Sequence, residues 1–553
     1  MKKIQLIALS LFVVTMLAFI SSLFVSGFNV SEETISSHLE SKGMKSEILK
    51  SRMLTEVAGV DYANSFSATS KIRSVYDETL EVHKAKVSEY EASKEWDKAN
   101  DERQNIAYDK STTFAYDIMK PSGSGHVFEN KGLWLFLTFG LAIIASLIFI
   151  LINLKVLGPA GIKNTGIYFE SATNRGWVGW ITFIFLVLFY IGLYFYPSVI
   201  VNWTYIVDPV KELFGGGGAS QWFLYGLLYC TAMTIMGIRM IVKYRHNKYQ
   251  IVRTISVVFF QVVFAFLLVE ILPMFGLPGV DLKNAWPLDY DFLFDWNVTN
   301  LLDSGHFGKF VFIWGIVLSL IIIPTLVYFY GKRWYCSWVC GCGGLAETLG
   351  DPYRQHSDKT VKAWKFERYI IHAVLLFAII MTVWTGYHSY NEVYNESMSY
   401  QDKTTLLGMS SGTIRLWYGF LIGSIFSGVI GTGFYPIFGN RVWCRFGCPL
   451  AAYMGIVQRF KSRFRITTNG GQCISCGNCS TYCEQGIDVR AYAQKGENII
   501  RASCVGCGVC SAVCPRGVLK LENGPEEKRI SSDNPIVLGN NAFTINPSVT
   551  DNK

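Results

Sequence analysis

Residues 473–483 read Cys473-Ile474-Ser475-Cys476-Gly477-Asn478-Cys479-Ser480-Thr481-Tyr482-Cys483, and residues 504–514 answer with Cys504-Val505-Gly506-Cys507-Gly508-Val509-Cys510-Ser511-Ala512-Val513-Cys514. Both runs obey C-x-x-C-x-x-C-x-x-x-C. Three thiolates at i, i+3 and i+6 on a tight loop hold three corners of an iron–sulfur cube, while the fourth cysteine points away and closes the cube of the other run. The expected sets are therefore crossed. Cluster one takes Cys473, Cys476, Cys479 and Cys514; cluster two takes Cys504, Cys507, Cys510 and Cys483; both are [4Fe–4S]. A zinc reading competes, because C-x-x-C pairs also build zinc knuckles. The same 3-3-4 spacing twice over favours iron and sulfur.

Outward from these runs the chain reads as membrane. Half of its 553 residues are hydrophobic, only 17% are charged, and it holds 38 Phe, 29 Tyr and 15 Trp. Soluble domains are rarely so apolar over this length. Eight apolar stretches suffice to cross a hydrocarbon core that takes about 20 helical residues: Ile4–Phe28, Leu133–Leu154, Trp177–Tyr196, Trp222–Val242, Ile255–Met274, Phe310–Tyr330, Tyr369–Tyr387 and Leu416–Phe438. The first is longer than a secretory signal core and shows no A-x-A cleavage site, so it is expected to stay as an anchor.

Short loops set the orientation. Connections 155–176, 243–254 and 331–368 carry 14 Lys and Arg, against 5 in 197–221, 275–309 and 388–415. Both termini are then expected in the cytoplasm of a bacterial cytoplasmic membrane, with 29–132 outside. The 14 cysteines begin only at Cys230. They cluster in segments assigned to the reducing side, where thiols serve as metal ligands rather than disulfides. The net charge of +8 follows the positive-inside bias and does not point to nucleic acid.

The chain divides into an N-terminal anchor (1–28), an external, mostly helical domain (29–132), membrane helices (133–330), a region with two spans (331–460), the double cysteine run (461–522) and a polar tail expected to be disordered (523–553). In the external part Ser37 and Glu40 are spaced as a capping box, and residues 72–108 read as a helical hairpin. Gly215–Gly218 lacks the Gly-Lys-Ser/Thr of a phosphate loop and reads as a turn.

Region 331–460 contains a repeat. Gly331-Lys332-Arg333-Trp334-Tyr335-Cys336-Ser337-Trp338-Val339-Cys340 aligns without gaps to Gly439-Asn440-Arg441-Val442-Trp443-Cys444-Arg445-Phe446-Gly447-Cys448, 108 residues on. Each copy leaves a span and precedes a stretch suited to the membrane surface, 343–350 and 450–460. Cys336, Cys340, Cys342, Cys444 and Cys448 are thus candidates for an additional metal centre. Arg333, Arg441 and Arg445 are expected to lower the thiol pKa values. The alternative is that these thiols simply pack.

C-x-x-x-C-Pro at the end of a membrane helix, followed by two four-cysteine runs, resembles the NosR/NapH-type membrane polyferredoxins over about 331–520. Cys444-Arg445-Phe446-Gly447-Cys448-Pro449 fits the motif; the first copy has Gly341 in place of Pro and adds Cys342. Pro515 fits the bacterial ferredoxin pattern, whereas Glu484 stands where the first run would carry Pro. The residues themselves read as a multi-pass α-helical membrane protein of about eight spans with a C-terminal two-cluster ferredoxin-like α+β domain. The resemblance implies electron transfer, expected between a cytoplasmic donor or reductase subunit and the quinone pool or an external redox protein. Two further functions fit the same residues: a redox sensor or regulator, and a metal-reducing maturation factor built on Cys340 and Cys342.

Flavin is not expected, since Phe66-Ser67-Ala68-Thr69 only loosely matches the S-G-A-T attachment signature. Haem is not expected either: no C-x-x-C-H occurs, and of eight histidines only His372 lies well inside a span. Lys243, Arg245, His246, Lys248 and Arg253 have no acid nearby in sequence and read as loop-anchoring charges.

Overall fold

A computed structural model describes residues 2–105, 111–156, 176–289, 291–394, 405–406, 409–410, 416–469, 472–524, 537–539 and 542–544. Loop 157–175 and most of the 523–553 tail, and with it the expectation of disorder, lie outside the described residues.

Among the described residues seven helices are long and apolar enough to span a bilayer: Lys3–Val25, Lys131–Lys155, Trp177–Phe195, Gln221–Lys243, Lys248–Phe275, Gly305–Tyr330 and Val361–Tyr387. Lipid offers no hydrogen-bond partners, so the backbone must pair within each helix. Protein buries only 17% to 33% of each apolar window, which leaves broad faces for lipid. Trp177, Trp180, Trp222 and Trp417 are exposed near helix ends, as interfacial rings should be. The eighth stretch is shorter than expected. Its apolar helix covers Leu416–Ile430, Gly431-Thr432-Gly433 interrupts it, and one turn, Tyr435–Phe438, follows. Glycine is a poor helix former, and a side chain at Gly431 or Gly433 would collide with the carbonyls of Ser427 or Val429.

Two compact units form. The first comprises Met1–Lys155 and Leu188–Thr231. Its first helix runs into strand Ser26–Asn29, the middle of a three-stranded antiparallel sheet with Asp61–Tyr62 and Gly123–Gly125. Helices Glu32–Ser41, Glu47–Glu56, Ser65–Ala92, Trp96–Asn105 and Ser111–Met119 accompany the sheet, and the pair Ser65–Ala92 and Trp96–Asn105 forms the hairpin. The buried side chains include Ile35, Met53, Ile72, Val75 and Phe114.

Ser31, Ser46 and Asn64 cap three of these helices. The capping box at Ser37 does not form: Ser37 sits inside the helix and its hydroxyl donates to the Thr34 carbonyl at 3.2 Å. Ser31 takes the cap because Glu32 and Glu33 follow it, placing negative charge at the positive helix end.

Helix Val201–Glu212, which hydropathy leaves in a loop, is largely buried. Trp203 Nε1 donates to the Phe19 carbonyl at 2.8 Å, and Asp208 accepts from Lys120 Nζ at 2.9 Å, Lys131 Nζ at 2.8 Å and the Ala219 N–H at 2.7 Å.

The second unit comprises Val156–Val187 and Ala232–Lys553. Its small α+β part pairs strand Phe464–Thr468 antiparallel with Leu519–Asn523, with Ile466 opposite Leu521 and a further bridge to Ile499. Phe464, Ile466, Ile487, Val489, Ile499, Val518 and Leu519 make its core. Tyr482, Val509 and Val513 pack on Met240 and Tyr244, and Ser337 Oγ donates to the Val505 carbonyl at 2.9 Å. The α+β part therefore rests on helix ends and cysteine loops.

Candidate iron–sulfur sites

The two cysteine runs adopt the same backbone. Gly477 (φ 80°) and Gly508 (φ 74°) open the short helices that carry Cys479 and Cys510, and Gly486 (φ 64°) and Gly517 (φ 62°) close each run. These left-handed positions favour glycine. Matching hydrogen bonds follow: Cys483 N–H to the Ser480 carbonyl at 3.2 Å and Cys514 N–H to Ser511 at 3.3 Å, then Gly486 to Cys483 and Gly517 to Cys514, both 3.2 Å.

Two cavities of nearly equal size result. One is lined by Cys473, Cys476, Cys479 and Cys514; the other by Cys483, Cys504, Cys507 and Cys510. Four soft thiol donors line each small apolar cavity, a donor set that suits a cluster. The cavities differ in depth. Cys476 is exposed and Cys473 half-buried, whereas Cys504 and Cys510 are buried and Cys507 packs against the core that holds the loop thiols.

That core contains Cys336, Cys340, Cys444 and Cys448, with the half-buried Cys342 against it. The repeat seen in sequence is also a repeat in space. Gly331 (φ 70°, ψ 175°) and Gly439 (φ 92°, ψ 171°) end the preceding helices in a region open essentially to glycine alone. The N–H groups of Ser337 and Arg445 then donate to Arg333 and Arg441 at 3.0 and 2.9 Å, and those of Cys340 and Cys448 to Tyr335 and Trp443 at 2.7 and 2.9 Å. Cys340 stands just before helix Gly341–Thr348, and Cys448 caps Pro449–Lys461 by accepting from the Ala451 N–H at 3.4 Å.

The arginines do not all serve the thiols. Arg441 Nη1 lies 3.6 Å from Cys444 Sγ, but Arg445 pairs with Glu367 at 2.6 Å and Arg333 stacks on Phe464 and Tyr249. Burial outweighs Arg441 and pushes the Cys444 thiol up, and it lifts Cys336 to about 12. Cys340 is held at about 6 because Cys342 hydrogen-bonds to it. The uniform lowering of thiol pKa expected from sequence is thus overturned, because burial penalises the thiolate more than one guanidinium repays. A bound metal would supply the missing positive charge.

Sequence reasoning missed an ion network between the two groups of thiols. Glu484, next to Cys483 and fully buried, accepts from Arg441 Nε at 2.9 Å, Arg354 Nη1 at 2.5 Å and Asn440 Nδ2 at 3.2 Å. Arg441 also pairs with Glu347, which pairs with Arg253. Arg354 Nε reaches Asp351 at 2.8 Å, and Asp351 holds Arg239 at 2.8 Å and Lys243 at 2.7 Å. Burial works to raise the Glu484 and Asp351 carboxyls, yet the surrounding cations hold both below the usual carboxylate range. Lys243 and Arg253 therefore do have acid partners, which arrive from residues about a hundred positions away. The one available signal was Glu484 itself, standing where its counterpart in the second run is Pro515.

Thr69 is buried in a helix with its hydroxyl on Met119 Sδ at 3.3 Å, His372 Nδ1 lies 2.6 Å from the Arg368 carbonyl, and Cys230 is buried.

Known sequences bear on these sites directly. The family described as a 4Fe-4S dicluster domain matches residues 465–515, and the family described as a 4Fe-4S binding domain matches twice, at 312–360 and 418–467, once over each copy of the loop repeat. The putative electron transport protein YccM of Escherichia coli is 26% identical over 200 residues, 35% of this chain and 50% of the relative. The methylamine utilization ferredoxin-type protein MauN of Methylobacillus flagellatus is 25% identical over 173 residues, 31% and 54% of the two chains. The ferredoxin-type protein NapH of Escherichia coli is 25% identical over 190 residues, 34% and 59%. The chain spans between half and three fifths of the length of these relatives. No solved structure matches. The doubled cysteine runs, the apolar helices and these relatives together show a multi-pass membrane protein with two [4Fe–4S] clusters that resembles the NapH-type polyferredoxins.

Proposed function

We propose that the chain relays single electrons between a donor on the cytoplasmic side and a carrier in the membrane. The observation that carries this reading is the order of the thiol groups by depth: the cavity with exposed Cys476, then the buried cavity with Cys507, then the loop thiols at the membrane helix ends. Cys473, Cys476, Cys479 and Cys514 hold cluster one, and Cys483, Cys504, Cys507 and Cys510 hold cluster two. Cys336, Cys340, Cys444 and Cys448 hold a third centre, with Cys342 beside it. Iron–sulfur clusters supply one-electron steps without moving atoms.

The protein positions both ends of this relay. Exposed Ile474 and Cys476, with exposed Arg490 and Arg516 around the same cavity, suit an acidic soluble donor or reductase subunit. At the other end a cavity of ≈ 740 Å³ is lined by Tyr249, Phe260, Arg333, Trp334, Trp338 and Val339, the last beside Cys340. Its size falls in the range of small-molecule sites, and its aromatic wall and cation suit a quinone headgroup. Both termini lie in the cytoplasm of a bacterial cytoplasmic membrane, following the loop charges.

Iron and sulfide counting with electron paramagnetic resonance on the purified chain tests the assignment. About twelve irons, three clusters' worth, are expected; about eight would remove the third centre. A second reading, reduction of a soft metal ion, draws on the fifth thiol, Cys342, hydrogen-bonded to Cys340. It requires copper to change labelling of Cys342, and indifference to copper would dismiss it.

A further inference from the structure

The Arg441 guanidinium touches the loop thiols directly and reaches the second run through Glu484. Nη1 faces Cys444 Sγ at 3.6 Å and the Cys336 carbonyl at 3.4 Å, while Nε donates to Glu484 at 2.9 Å. Glu484 directly follows Cys483 and lines the same cavity as Cys504, Cys507 and Cys510. The backbone of the two runs is superposable in its hydrogen bonds and glycines, and the second run carries Pro515 at this position. The fold of the run therefore does not call for a carboxylate there.

The carboxylate is nonetheless fixed from three sides by Arg441, Arg354 and Asn440, and Asn440 is tied in turn to the Ala346 carbonyl at 2.6 Å. Burying an acid costs several kcal/mol unless it is paired, so its placement needs a purpose that a proline would not serve. The network around it counts five cations, Arg239, Lys243, Arg253, Arg354 and Arg441, against three carboxylates, Glu347, Asp351 and Glu484. Surplus positive charge lies between two sets of thiols that become anionic centres when they bind clusters.

We propose that Arg441 and Glu484 form the coupling bridge between the cluster held by Cys483, Cys504, Cys507 and Cys510 and the centre held by the loop thiols. Hydrogen bonds to a ligand sulfur on one side and to the residue beside a ligand on the other let charge at either centre set the potential of its neighbour. The step served is a one-electron exchange: the second cluster loses one electron, the loop centre gains it, and no bond or proton moves. Arg441 and Glu484 are positioning residues. The inference rests on the third centre of the proposed function.

The experiment is an anaerobic redox titration of the full chain in lipid nanodiscs, followed by electron paramagnetic resonance, on wild type, Glu484→Gln and Arg441→Lys. In wild type the reduced second cluster and loop centre should broaden each other's signals. In Glu484→Gln the ratio in which the two centres share one electron should change at least tenfold, equivalent to about 59 mV for one electron. Cluster one should keep its midpoint. In Arg441→Lys, which retains the charge but loses both the contact to Cys444 Sγ and the Nε donor to Glu484, the midpoints of the loop centre and of the second cluster should both shift. A full iron count with unmoved midpoints in both variants, or no mutual broadening in wild type, overturns the bridge. A wild-type count of about eight irons instead removes the third centre, so the two failures are distinct. Should Glu484→Gln lose iron, Arg441→Lys and the wild-type broadening still decide.

Discussion

Replacing Cys514 by alanine should destroy the cluster of the first run, not that of its own. Cys514 belongs to residues 504–514 in sequence, but it lines the cavity of Cys473, Cys476 and Cys479. The second cavity keeps its four thiols, Cys483, Cys504, Cys507 and Cys510. Cys514→Ala should therefore remove about four of the roughly eight irons of the two-run domain and leave one signal unchanged.

The survivor is the buried cluster, with Cys504 at 7% and Cys510 at 6% exposure, so it should also resist oxygen longer than the missing one, whose Cys476 is exposed. Iron and sulfide analysis with paramagnetic resonance on Cys514→Ala, Cys473→Ala and Cys504→Ala provides the assay. The first two should give the same spectrum and the third the complementary one. If Cys514→Ala instead matches Cys504→Ala, each run holds its own cluster and the crossed assignment is wrong.

Other perturbations test the scaffold. Asp351→Asn removes the buried carboxylate that Arg239, Lys243 and Arg354 share and should destabilise the second unit by about 3–5 kcal/mol. Because surrounding cations depress the folded-state value of Asp351, its stabilisation is complete above the ordinary carboxylate value of about 4 and is lost as pH falls through the lower folded value. Thermal melts of wild type and Asp351→Asn should therefore converge only in strong acid; a constant gap would show that the carboxylate is not the source. Gly439→Ala forces a Cβ to within 2.7 Å of the Ser357 amide nitrogen at a φ of +92°, and Gly331→Ala does the same against Phe464 Cβ at 2.7 Å. Each should cost at least about 1–3 kcal/mol and release iron from the loop centre first, as metal analysis would report. Asp208→Asn leaves Lys120 and Lys131 facing each other in the first unit, so protease resistance of residues 26–132 should fall while both [4Fe–4S] signals stay intact.

Much of the site was legible because its information is local. A thiol run at fixed spacing on a tight loop specifies cube corners, and a gapless repeat at Gly331 and Gly439 specifies two identical turns, since only glycine takes that backbone cheaply. Apolar length likewise announced seven spanning helices. Span eight was overestimated because a hydropathy window averages over Gly431 and Gly433, which break the helix without lowering hydrophobicity.

Other features depend on partners distant in sequence. Glu484 looked like a lapse from a pattern, and Lys243 and Arg253 looked like loop charges, because Arg354, Arg441, Asp351 and Glu347 join them only when the chain is folded. Thiol acidity failed for the same reason: neighbouring arginines are visible in sequence, whereas burial is a property of the packed core and penalises the charged thiolate more strongly. The sequence by itself determined that this protein holds two iron–sulfur cubes beneath a set of membrane helices and repeats a cysteine loop. Only the tertiary structure decided that the buried cavity of the second run lies against those loops and that Arg441 and Glu484 join them. Ligand spacing is covalent and local; charge pairing out of water is made by packing.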